Sequence, residues 1–143
     1  MSAEENKAVI KRWYDEWNKG NMQGVYALFA PDVIDHNAGL GQAPGLEGVK
    51  QGLGLFQTAF PGLQLTIELL VAEGDKVVDH VTGRGTHKGD LLGIPPTGKS
   101  VTIPAMNIWR IRNGKIVEVW HIEDLLGMMQ QIGAIPAPGQ PPK

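Results

Sequence analysis

The chain has 143 residues, 42% hydrophobic and 20% charged, with a formal net charge of -2 and no cysteine. Such values fit one ordinary globular domain with volume for a core. They exclude a basic nucleic-acid or anionic-membrane footprint, a disulfide framework, a thiolate nucleophile and a zinc–thiolate site.

The opening MSAEENKAVIKRW is charged and has no apolar run of the signal-peptide kind, so a cytoplasmic protein is expected. No stretch approaches the ~18 apolar residues of a membrane span. Residues 3–19 read as a helix. Ser2 and Glu5 have the spacing of a capping box, and Val9, Ile10, Trp13, Tyr14 and Trp17 share one face. Gly20 ends that helix. Residues 22–30 read as a second helix, with Val25, Tyr26 and Phe29 inward and Pro31 as its stop. Asp32 to Asn37 reads as a short strand or turn. The glycine-rich AGLGQAPGLEG after it lacks the Lys-Ser or Lys-Thr of a phosphate loop. A third helix over 47–60 carries Val49, Leu53, Phe56 and Phe60, with Gly52 and Gly54 weakening it.

The second half changes period. Residues 63–73 and 76–87 are strand-rich about a Gly74-Asp75 turn, and KGDLLGIPPTG then reads as a loop. Residues 100–112 and 115–123 form a hairpin about Asn113-Gly114, the strongest turn signal in the chain. A short helical stretch follows from Asp124 to Gly133. Helices followed by a strand meander give an α+β domain over residues 1–134. The Pro-rich end, 135–143, reads as a flexible tail.

Four segments resemble the SnoaL-like polyketide cyclases of the NTF2-like superfamily: PDVIDHNAG, AFPGLQLTIELLVAEGDKVV, GRGTHKGDLLGIPPTGKSVTI and NIWRIRNGKIVEVWHIEDLLGMMQQIGAI. They cover most of the chain in the family's order. The resemblance implies an NTF2-like cone: three N-terminal helices packed on a strongly curved antiparallel sheet around an apolar pocket, paired as a homodimer or higher homo-oligomer. It also implies acid/base chemistry without a cofactor, such as aldol-type ring closure of a polyketide ester. The chain departs from the family's pattern at Asp79, Val81 and His121.

A two-residue hairpin loop with unbroken pairing sets Trp109 opposite Glu118 and Asn107 opposite Trp120. One face then carries Asn107, Trp109, Glu118, Trp120 and Asp124, mostly among apolar neighbours. Buried polar groups need partners or a cavity, which makes this face the place to seek a site. Asp124 follows the Glu118-Val119-Trp120 element, where the resemblance places an acid/base Asp. It reads equally as an N-cap. His36 could polarise a carbonyl or end a strand on a backbone bond. Asn107 could donate to a developing enolate oxygen or satisfy a cross-strand partner. Glu118 could touch ligand or pair with Arg110. Alternation turns only one of Asp79 and His80 inward, and an inward Asp79 would be a second candidate base.

Tyr14, Trp17, Trp109 and Trp120 read as core or as a stacking wall for a flat ligand, and Tyr14 could also donate to an oxyanion. The four histidines show no metal-site spacing, and no G-x-S-x-G elbow is present. The expected ligand is a small apolar or aromatic carbonyl compound, with no metal and no cofactor. Three functions stay open: a cyclase, a ketosteroid-isomerase-like enzyme, or a non-catalytic binding domain.

Overall fold

The computed structural model describes residues 1–136 and 139. Helix α1 (Ala3–Lys19) starts at the expected capping box and stops at Gly20, whose φ of 78° needs a residue without a Cβ. Helix α2 is shorter than its pattern and covers only Met22–Tyr26. Strand β1 (Phe29–Asp35) takes the residues expected to continue that helix. Tertiary pairing overrides the local signal here, because Ile116 donates to the Leu28 carbonyl and Phe29 pairs with Ile116. Pro31 lies where the β1 pairing is irregular, at a sheet edge where its missing N–H costs least.

Helix α3 (Gly45–Ala59) precedes β2 (Gln64–Glu73), β3 (Lys76–Thr86), β4 (Ser100–Arg112), β5 (Lys115–Glu123) and α4 (Leu125–Gln131). The five strands form one curved, unclosed sheet in the order β1-β5-β4-β3-β2. β2 to β5 are antiparallel neighbours, as the meander requires, whereas β1 joins β5 in parallel. Helix α1 packs on β2 and β3, α3 on β1, and α4 on β4. The core lies between these helices and the sheet's inner face, from Ile10 to Ile132.

The hairpin about Asn113 (φ 51°) and Gly114 (φ 75°) has both turn residues left-handed, as that dipeptide predicts. Beyond it the expected register fails. Ile111 faces Ile116, but Arg110 faces Glu118, so Val117 is an extra residue in a bulge. From there every β5 residue lies on the face opposite to the expected one. Asn107 pairs with His121, Trp109 with Val119 and Ile108 with Trp120.

No helix among the described residues is long and apolar enough to cross a membrane. Most of the expected tail, namely 137, 138 and 140–143, lies outside the described residues.

Candidate functional site

Helices α1, α3 and α4 and the inner sheet face enclose a cavity of about 310 Å³. Trp13 and Trp17 enter it from α1, Val49 and Phe56 from α3, Ile103 and Trp109 from β4, and Met128 from α4. Spacing on α1 brings Trp13 and Trp17 together, with ring planes 4° apart and centroids 5.6 Å apart. Trp109 stands 5.5 Å from Trp13. Such a wall suits a flat apolar ligand.

One side of this cavity is polar and built from the interior outward. Asp79 is 1% exposed on β3, directly across from Asn107 on β4. Three donors converge on its carboxylate: the Tyr14 hydroxyl at 2.6 Å, Trp109 Nε1 at 2.8 Å and Asn107 Nδ2 at 2.8 Å. Asn107 Nδ2 also lies 3.2 Å from the Tyr14 oxygen. Burial pushes the Asp79 carboxyl up, and the three donors offset part of that push. Burial and the adjacent Asp79 charge hold the Tyr14 phenol well above its usual range. Tyr14 is therefore a neutral phenol whose hydrogen is directed at Asp79.

A second polar group lines the same cavity. The bulge turns His121 and Glu123 inward, and parallel pairing brings Asp35 of β1 beside them. His121 Nδ1 lies 2.6 Å from Glu123, and its Nε2 lies 2.9 Å from Asp35. Gln42 Nε2 donates to Asp35 at 3.0 Å. Asn37 fixes the backbone around this group, accepting from the His121 amide and donating its own amide to Asp35. Burial works against charge on His121, but the hydrogen bonds and charges of Asp35 and Glu123 outweigh it and push the imidazole up to about 10. Burial also opposes ionisation of Asp35, yet His121 and Gln42 hold it below the usual carboxylate range. An imidazolium thus sits between two carboxylates. Among the described residues, no group of three or more His, Cys, Asp or Glu is arranged to hold a metal ion.

The predicted residues divide between the two sheet faces. Tyr14, Trp17, Asn107 and Trp109 line the cavity, and Asp79 lies directly behind three of them. Trp120, Glu118 and His36 do not line it. The bulge carries Trp120 and Glu118 to the outer face, where the His36 ring stacks on Trp120 at 4.4 Å and His36 Nε2 meets Glu118 at 3.0 Å. Arg110 on that face bonds Asp75 at 3.0 Å and pairs with Glu118. Asp124 is exposed and does not line the cavity. Its carboxylate caps α4, accepting from the Gly127 amide at 2.9 Å. Of the pair that alternation left open, Asp79 is inward and His80 outward. Neither Asp35 nor Glu123 stands out in the sequence, and unbroken pairing sets His121 on the other face. The bulge position would reveal His121 and Glu123, and the parallel pairing of β1 with β5 would reveal Asp35.

A family model described as SnoaL-like polyketide cyclase matches residues 7–132. Three solved structures illustrate the likeness. AclR from Streptomyces galilaeus, provisionally a hydroxylase, is 29% identical over 99% of this chain and 87% of its own, with a TM-score of 0.84. TsrD from Streptomyces laurentii is 27% identical over 94% of this chain and 99% of its own, with a TM-score of 0.83. IdmH from Streptomyces antibioticus, provisionally a polyketide cyclase, is 32% identical over 90% of this chain and 98% of its own, with a TM-score of 0.78. A search of curated proteins found no similar sequence. The family match spans the cavity and both of its polar groups, and the chain belongs to the SnoaL-like polyketide cyclase family.

Proposed function

We propose that the protein is an acid/base enzyme without a cofactor, promoting aldol-type ring closure of a small carbonyl compound held in this cavity. The observation that carries the reading is the carboxylate–imidazolium–carboxylate group of Asp35, His121 and Glu123 in an otherwise indole-lined cavity. Glu123 bonds His121 through one carboxylate oxygen, which leaves the other for a substrate proton. That oxygen takes the proton from an activated carbon, and the C–H electron pair becomes the enolate. The enolate carbon then adds to a second carbonyl of the same ligand, and the alkoxide so formed takes the proton back from Glu123. The fixed positive charge of His121 offsets the negative charge that moves through these steps. In this reading Asn107, Tyr14, Trp17 and Trp109 surround the ligand with Asp79 behind them, while Asp124 and His36 do not touch it.

The test is carbon-bound hydrogen exchange in D2O, followed by NMR on a panel of 1,3-dicarbonyl and conjugated ketone compounds. Exchange is expected with the wild type and with Asp124→Asn, and at least ~100-fold slower with Glu123→Gln. Exchange lost in folded Asp124→Asn and kept in Glu123→Gln would return the base to Asp124.

A non-catalytic binding domain is the second reading, and one observation favours it. The Tyr14 hydroxyl, both Asn107 amide hydrogens and both His121 ring hydrogens already meet protein acceptors. Binding without exchange in any compound would select it.

We propose further that two copies associate through the outer sheet face. Met106, Ile108 and Ile122 are exposed there, in rows continuous with Leu69 and Val78.

A further inference from the structure

The Asn107 side chain has one end committed and one end free. Its Nδ2 meets two acceptors, Asp79 Oδ1 at 2.8 Å and the Tyr14 oxygen at 3.2 Å. The amide orientation follows from chemistry. A carboxylate beside it accepts only, so the nitrogen must face Asp79 and the carbonyl must face away. Both Nδ2 hydrogens are then used. Asn107 Oδ1 has no partner among the described residues, and Asn107 lines the cavity. Tyr14 offers no hydrogen either, because its single O–H bonds Asp79 at 2.6 Å. Trp109 Nε1 is likewise spent on Asp79.

Around Asp79 the wall therefore presents only an acceptor to the cavity, and Trp13 Nε1, a donor without a partner, is itself buried. We infer that Asn107 Oδ1 takes a hydrogen bond from a ligand hydroxyl, so that the ligand bears a phenol or enol O–H at this end of an aromatic framework. The inference rests on the reading of the cavity as a ligand site and adds the polarity of its inner wall. It reverses the role expected of Asn107 and Tyr14 as donors to an enolate oxygen. Charge points the same way. An anionic oxygen here would stand beside Asp79, with Glu123 close enough for its charge to reach Tyr14. A neutral O–H meets no such repulsion, whereas a bare carbonyl finds no donor among Asn107, Tyr14 and Trp109 and loses its hydration without replacement there.

Three two-ring probes separate these cases by equilibrium dialysis at neutral pH: 2-naphthol, 2-methoxynaphthalene and 2-acetylnaphthalene. The naphthol is expected to bind about tenfold tighter than either of the others. Equal affinities, or a preference for the ketone, would overturn the inference while leaving the cavity a ligand site. Binding of none of the three would overturn the ligand-site reading and the inference with it. In Asn107→Leu the preference is expected to fall to about threefold or less. An undiminished preference in that folded variant would overturn the assignment to Asn107. Should Asn107→Leu fail to fold, Asn107→Asp serves instead: an acid there shares a proton with Asp79 across the 2.8 Å now spanned from Nδ2, and its outward oxygen still accepts from a hydroxyl. It must keep the naphthol preference, and its loss there would equally overturn the assignment.

Discussion

At the scale of single residues, the two polar groups of the cavity answer burial differently. Asp79 is held by three neutral donors, so its charge has no counter-ion. His121 is held by two carboxylates, and its charge is matched. The second arrangement gives a signed dependence on pH. The imidazole of His121 is raised from its ordinary 6.5 to about 10 in the folded chain. The folded state therefore holds a proton that the unfolded chain releases between these values, and stability falls as pH rises through that window. The stabilisation is fully present below about 6.5 and gone above about 10. In His121→Gln this contribution is absent. Urea midpoints of the two proteins are expected to differ most near pH 6 and to converge near pH 10.5. A gap that stays constant across that range would refute the ion-pair account.

At the scale of elements, the sequence made some joints legible and hid others. Ser2 with Glu5, and Asn113 with Gly114, carry their geometry in their own chemistry, and both form as expected. The Val117 bulge has no such signal. Along IVEVWHIE both alternating sets contain apolar residues, so an extra residue violates no pattern. That one residue decided which of Trp120 and His121 would meet the cavity. It explains why Tyr14, Trp109 and Asn107 could be found from sequence while His121 and Glu123 could not. Phe29 was hidden differently, since its helical spacing is outweighed by pairing with a strand far away in the chain.

Helix α3 supplies a test at the same scale. A Cβ at Gly48 would stand 1.6 Å from the Ala43 carbonyl oxygen, so Gly48→Ala must push the helix off its loop. The expected cost is about 1–3 kcal/mol by chemical denaturation, with weaker ligand binding because Val49 and Phe56 move too. An unchanged midpoint would mean that the loop yields freely.

At the scale of the whole molecule, the sheet separates two chemistries. Its inner face closes over the cavity. Its outer face sets an exposed apolar patch beside a charged network of His36, Glu118, Arg110 and Asp75. Ile122 is 73% exposed and Met106 61% exposed, and they face each other across β4 and β5. By light scattering the wild type is expected to be a dimer, and carboxylates at both positions, in Met106→Glu with Ile122→Glu, are expected to yield a folded monomer. A wild type already monomeric at high protein concentration would refute the proposed association.

The sheet's two margins add a consequence for how far such association can run. β1 carries Pro31 and an irregular pairing at one margin, and β2 carries the bulged, exposed Glu68 at the other. Neither margin offers a straight row of free backbone groups to a further strand. Copies meeting through the outer face use up that face, and the margins resist extension into filaments. An association of the proposed kind is expected to be self-limiting: a closed pair that stays finite as concentration rises.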